Sequence, residues 1–320
     1  MAYYMISNRN VEVGRLGNRR ADLTFWITDS DNVTNFGSWT GPIPADDFKR
    51  AILDATKAFP DVPMEEHAEQ KHVTLFIHGF NNSWDDAAKR YKCLCDGLFA
   101  DKQSMGLCIL FTWPSNGQPV GYLPDREDAR ATAPDLAAVL NEFYDWLLVQ
   151  QRLAARNPDA ACKAKTSIIA HSMGNYVLQK AMQYSWSRNN QPLLISLVNQ
   201  LLMVAADVDN DLFDENIQKG DGAAMANLTY RITALFSGRD PILGVSAGLK
   251  HFGKRRLGRS GLDHPSVPDN VWDIDCSNLL VGPDRDVHSA YFGSPKSIEL
   301  MRQVLRGDDR KRIEQGLAFA

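Results

Sequence analysis

The segment IIAHSMGN (168–175) combines a hydroxyl with the local shape that would make it reactive. An apolar run ends at Ala170, Ser172 follows two residues later, and a helical pattern begins at Gly174. A turn this tight holds its central residue in a strained backbone, so the positions two before and two after must be small. Ala170 and Gly174 meet that requirement as a variant of G-x-S-x-G, with Ala in the first place. Such a turn lifts the Ser172 hydroxyl to the edge of a sheet. It also points a helix N-terminus at it, where the dipole and unpaired N–H groups favour developing negative charge. The chemistry that suits this turn is nucleophilic attack on a carbonyl. A Ser before a helix also serves as an ordinary N-cap, so the reading needs partners elsewhere in the chain.

The first partner is an oxyanion site, which needs two backbone N–H groups. One belongs to Met173, directly after the serine. The other is expected from the loop after an earlier strand, and FIHGFNNSW (76–84) places Phe80 there. Gly79 allows close backbone approach, and Asn81 or Asn82 would orient the loop. The second partner is a base. Seven histidines are available, at 67, 72, 78, 171, 251, 264 and 288. Where a serine occupies such a turn, acid and base follow it in the order Ser, acid, His, with the base after the last strand. His288, in RDVHSAYFG (285–293), fits; His251 and His264 are rivals that precede that strand. The third partner is a carboxylate to orient the imidazole. Asp240, in FSGRDPIL (236–243), is the first choice, and Asp207, in VAADVDND (204–211), is the alternative. The one not used would act structurally, for example as a helix cap.

These residues require a frame. HVTLFIH (72–78), LCILFTW (107–113), KTSIIA (165–170), LLMVAAD (201–207) and ITALFSG (232–238) are continuous apolar runs, as expected of strands buried on both faces. VWDIDC (271–276) reads as a last strand. Helical stretches fall between them, over about 84–100, 126–156 and 174–187, and a closing helix covers 295–306. The long one holds Pro134, which would adjust it. Residues 2–7 and 21–28 read as short strands and 44–59 as a helix, so 1–70 is an N-terminal extension of the sheet. The fold class is α/β: a single domain over 1–320, with a doubly wound, mainly parallel sheet and helices on both faces. The stretch 251–270, rich in Gly, Pro and charge, is expected to form a flexible loop or lid.

Composition sets further bounds. The chain has 320 residues, 44% of them hydrophobic, and a net charge of −4, which argues against nucleic acid as the main partner. The five cysteines are odd in number and scattered, so they are expected to be reduced thiols, with no metal site among them. No basic leader with an apolar core opens the chain, and no run of 18 apolar residues exists. A cytoplasmic location without a membrane span is expected. Trp113 and Tyr122 are placed to line an acyl pocket, although Trp113 also fits core packing. Lys250, Lys254, Arg255, Arg256 and Arg259 would either meet an anionic substrate or form a solvated basic loop. The charges Asp125, Arg126, Glu127, Asp128 and Arg130 read as helix-start residues, one of which would pair into the cleft.

Taken together, FIHGFNNS, FTWPSNG, IIAHSMGN, VAADVD, FSGRDPIL and VHSAYF resemble the α/β-hydrolase superfamily, specifically an uncharacterised bacterial esterase- and lipase-like branch. The likeness covers roughly residues 70–295. It implies a catalytic triad of Ser172, Asp240 and His288, an oxyanion hole at Phe80 and Met173, and no metal or organic cofactor. It also implies a small-molecule ester or acyl substrate. Hydrolysis of carboxylic esters through an acyl-enzyme is the expected activity. Acyl transfer or thioester and lipid hydrolysis on the same triad, and a non-catalytic binding protein on the same fold, are the alternatives.

Overall fold

The computed structural model describes residues 1–60, 70–80, 82–100, 103–115, 122–156, 164–188, 196–216, 220–247, 254–263, 266–280 and 287–318. Nine strands form one sheet: β1 (Tyr3–Glu12), β2 (Arg15–Thr28), β3 (Thr40–Ile43), β4 (His72–Ile77), β5 (Gly106–Thr112), β6 (Lys165–His171), β7 (Val198–Val204), β8 (Thr229–Phe236) and β9 (Val271–Asp275). Their order across the sheet is β3-β2-β1-β5-β4-β6-β7-β8-β9. From β1 to β9 in that order every neighbouring pair is parallel, and only β2 runs the other way. This is the α/β architecture expected from the apolar runs.

Alternate residues of the central strands feed two separate cores, as a period of two requires. One face carries α1 (Ala45–Lys57), α3 (Tyr122–Arg156), α4 (Gly174–Arg188) and α5 (Gly220–Leu228), packed on residues such as Leu75, Ile109, Ile168, Leu201 and Ile232. The other carries α2 (Trp84–Leu98), α8 (Pro295–Arg306) and α9 (Arg310–Ala318), packed on Phe76, Leu110, Ile169, Leu202 and Leu235. Two short helices, α6 (Pro241–Val245) and α7 (Leu257–Ser260), lie after β8. The helix α3 runs through Pro134 without a break.

The N-terminal extension is larger than its sequence pattern suggests. The expected strands 2–7 and 21–28 grow into a hairpin of 10 and 14 residues. The growth begins at Asn8 and Arg9, just past the expected strand end, which are fully buried with distant partners. β1 enters the sheet beside β5, pairing Tyr4 with Ile109 in parallel. Helix α2 locks this junction. The Tyr91 hydroxyl donates to the Cys108 carbonyl at 2.8 Å and accepts the Tyr4 amide at 3.2 Å.

The described part of the expected lid does not behave as one. Within 254–263, Arg256 and Leu257 are fully buried. Leu257 N–H donates to Val208 and Gly258 N–H to Ala206. A Cβ at Gly258 would lie 2.2 Å from the Ala205 carbonyl carbon, so α7 is seated directly on the end of β7. The cysteines among the described residues are free, with Cys95, Cys108 and Cys276 buried and Cys93 exposed; Cys162 lies outside the described residues.

Because Tyr91 bridges two adjacent strands from inside the core, Tyr91→Phe leaves a buried carbonyl without its donor. A loss of about 1–3 kcal/mol in urea unfolding is expected. An unchanged unfolding midpoint would show that the bond contributes nothing.

Candidate active site

The chain leaves β4 for β5 on one side of the sheet and later returns to place β6 on the other. This makes β4 and β6 the point where the winding reverses, and crevices of open α/β sheets form at the C-terminal ends of such strands. The loops carrying Gly79 and Ser172 start at these two ends, where Ile77 pairs with Ala170.

Ser172 has φ +53°, left-handed backbone that a non-glycine residue adopts only when its surroundings enforce it. They do so here. Ser172 N–H donates to the Val204 carbonyl at 3.0 Å, and Asp207 and Asn175 N–H groups donate to the Ser172 carbonyl at 3.1 Å each. The Asn175 amide caps the turn by donating to the Ala170 carbonyl at 2.9 Å. Space is the second constraint. A Cβ on Gly174 would lie 2.5 Å from the His78 carbonyl oxygen, and one on Gly79 would lie 2.5 Å from the Ser172 Cβ. These two glycines let the loop after β4 and the turn after β6 touch.

His288 and Asp240 meet as the sequence order suggests. His288 Nδ1 lies 2.6 Å from Asp240 Oδ2, both side chains buried. The other Asp240 oxygen accepts the Leu243 N–H at 3.0 Å, so the same carboxylate caps α6. His288 is set beside the serine turn by His171, whose Nε2 donates to the His288 carbonyl at 2.9 Å, with the two rings 4.9 Å apart. Asp207 is engaged elsewhere. It accepts Arg256 Nε at 2.8 Å and the Ser246 hydroxyl at 3.1 Å.

The loop after β4 is held from below by a buried polar network. Asn82 donates from its amide to the carbonyls of Gly79 at 2.7 Å and Phe80 at 2.9 Å. Its own N–H donates to Ser115 Oγ, which donates to the buried Asp125 at 2.8 Å. Arg9, from the N-terminal hairpin, donates to the Asn82 carbonyl at 3.0 Å, to Thr112 Oγ1 at 2.9 Å and to Asn18 Oδ1 at 2.7 Å. Burial lowers the pKa of Arg9, opposed by the attraction of Asp125. His78 completes the support: its Nδ1 donates to the Gly79 carbonyl and its Nε2 accepts the Trp113 N–H.

Several expected roles change. Trp113 is fully buried, stacked on His78 with rings 3° from parallel and its indole N–H on the His78 carbonyl. It packs under the loop and lines no open acyl pocket. The side chain of Tyr122 lies outside the described residues, as do Asn81, His67, His251, His264 and Lys250. Much of the basic cluster is engaged from within the chain: Arg256 pairs with Asp207 and Asp209, Lys254 faces Asp209 and Asp211, and Arg259 donates to the Asp240 carbonyl. Of the helix-start charges, Asp125 is the one that turns inward, while Arg126 lies 3.9 Å over the Tyr176 ring. The sequence pattern gave no role to Arg9 or Arg90, and it placed Arg256 in a basic loop, whereas it is a buried partner of Asp207. The run Ser7-Asn8-Arg9, polar residues closing an apolar strand, was the available signal for the first.

Comparison with known proteins adds a family and a fold. A family model described as "Alpha/beta hydrolase of unknown function (DUF900)" matches residues 61–270. An uncharacterized protein of Nostoc sp. is 27% identical over 129 residues, a stretch covering 34% of this chain and 30% of that protein. Among solved structures, Aspergillus fumigatus lipase B is similar at 13% identity and a TM-score of 0.42, covering 80% of this chain and 59% of that one. Carboxyl esterase 2 of Tuber melanosporum is similar at 13% identity and 0.37, covering 75% and 79%. No helix among the described residues is long and apolar enough to cross a membrane.

Three histidines are buried and held neutral, His78 and His171 at this site and His72 at the opposite end of β4. Burial lowers His72 to about 3, and lowers His78 and His171 well below the usual value, with Arg9 and Arg90 respectively adding repulsion. A base whose folded pKa lies below its unfolded pKa cannot bind the proton that the unfolded chain takes up. Stability is therefore complete above the unfolded value, about 6.5, and falls as pH drops below it. Each histidine is expected to cost about 1.4 kcal/mol between roughly pH 7.5 and 5.5, about 4 kcal/mol for the three. Urea unfolding at the two pH values checks this; equal stabilities would refute it.

Proposed function

This chain belongs to the family of alpha/beta hydrolases of unknown function (DUF900), and from that premise we propose that it is a serine hydrolase cleaving carboxylic esters through an acyl-enzyme on Ser172. One observation carries the reading. Ser172 stands in left-handed backbone at the reversal point of the sheet, and the residue before it, His171, bonds the carbonyl of a histidine whose Nδ1 lies 2.6 Å from a buried carboxylate.

In this mechanism His288 accepts the Ser172 hydroxyl proton at Nε2 as the oxygen attacks the ester carbonyl. Asp240 fixes the tautomer, because Nδ1 must carry its hydrogen toward the carboxylate, and it stabilises the imidazolium that forms. The carbonyl oxygen becomes an oxyanion received by the N–H groups of Met173 and Phe80, at the positive end of α4. His288 then returns the proton to the leaving alkoxide. Water, deprotonated by the same imidazole, attacks the acyl-enzyme and releases the acid and the free serine. The Met173 N–H has no hydrogen-bond partner among the described residues, in keeping with this use. Gly79, the residue before Phe80, packs against Ser172.

A fluorophosphonate probe tests the nucleophile. Labelling mapped to Ser172 and abolished in Ser172→Ala is expected; labelling on a different serine would overturn the assignment. The acid is tested with a short p-nitrophenyl ester. Asp240→Asn is expected to lower kcat by about 10³–10⁴-fold. Asp207→Asn is expected to destabilise the fold by breaking the buried pair with Arg256, at about 3–5 kcal/mol. Its folded fraction is expected to keep reacting with the probe. The opposite pattern would assign the acid to Asp207.

A further inference from the structure

We propose that Arg90 is a positioning residue that clamps the three loops of the site into one register; this rests on the reading of Ser172 and His288 as the reacting groups. Arg90 lies on α2, and its guanidinium reaches three segments distant from each other in sequence. Nη1 donates to Asn82 Oδ1 at 2.9 Å and lies 3.4 Å from His171 Nδ1, and Nη2 donates to Ser289 Oγ at 2.8 Å. Asn82 belongs to the loop after β4, His171 adjoins Ser172, and Ser289 adjoins His288.

Each bond fixes something the chemistry needs. Arg90 offers only donors, so Asn82 must turn its oxygen toward it and its NH₂ toward the Gly79 and Phe80 carbonyls. That orientation pins the peptide whose N–H would receive the oxyanion. His171 donates from Nε2 to the His288 carbonyl, so its Nδ1 must be a bare acceptor, and Arg90 faces that nitrogen. The clamp thereby selects the His171 tautomer that holds the backbone of His288. The bond to Ser289 holds the same loop one residue further on. A lysine cannot replace this arrangement, because a single ammonium lacks the planar fork that serves several acceptors at once.

Losing the clamp should leave every reacting group in the chain but loosen their mutual placement, and misplacement lowers turnover more than ground-state binding. For Arg90→Ala and Arg90→Lys we expect kcat on a short aryl ester to fall about 10–100-fold with KM nearly unchanged. Added guanidinium should recover part of the loss in Arg90→Ala. Independently of turnover, ¹⁵N NMR of the imidazoles should show His171 protonated at Nε2 in the wild type and a tautomer mixture in Arg90→Ala. The proposal is overturned if the His171 tautomer is unchanged in Arg90→Ala. It is equally overturned if kcat falls only in step with the folded fraction and guanidinium restores nothing. If the tautomer shifts as expected but wild-type protein neither labels at Ser172 nor turns over esters, the clamp stands and the hydrolase reading fails.

Discussion

The closeness of two backbone segments, the loop after β4 and the turn after β6, governs the rest of the site. Their contact leaves no room for a Cβ at Gly79 or Gly174, and it is enforced by parallel pairing of β4 with β6 up to Ile77 and Ala170. From that contact follow the left-handed conformation of Ser172, the approach of the Phe80 peptide and the placement of the α4 N-terminus. A parallel sheet can bring such ends together because its crossover helices lie on the faces and leave the strand ends open. The strain at Ser172 is offset by three backbone hydrogen bonds and by the Asn175 side chain.

Around this contact the protein spends buried polar groups freely, and nearly all of them serve the loops. Arg9, His78, Asn82, Thr112, Ser115 and Asp125 form a connected set, each with partners. A satisfied buried network is specific because any displaced member leaves another group unpaired in a low-dielectric interior. The second network, Asp207 with Arg256 and Ser246, does the same for the segment beyond β7. The two candidate carboxylates differ in this division of labour: Asp240 faces an imidazole, Asp207 a guanidinium.

Much of the frame was legible in the sequence because its signals are local. The central strands announce themselves as apolar runs, and Ala170, Ser172 and Gly174 carry a steric requirement that only a few residue types satisfy. His288 and Asp240 were singled out through chain order relative to strands that were already clear, and the two side chains meet. What was not legible depends on tertiary partners. The length of β1 rests on Asn8 and Arg9, whose hydrogen bonds reach residues more than a hundred positions away. The packing of 254–263 rests on Arg256 finding Asp207, so a segment whose composition suggests a mobile loop is instead anchored by its buried residues Arg256, Leu257 and Gly258. Trp113 stood at a strand end in either reading, and only the stacking on His78 decides between them.

The threading of β1 between β2 and β5 has a kinetic corollary. Tyr4 pairs with Ile109, and His288 completes the cleft from near the far end of the chain. Contacts of such long range are slow to form, since closing large loops costs entropy before any contact repays it. On a ribosome the first strand must therefore wait for about a hundred residues before finding its parallel neighbour, and the serine turn emerges well before its imidazole. The turn and the loop of His288 can therefore meet only after β7, β8 and β9 and the crossovers between them have been made.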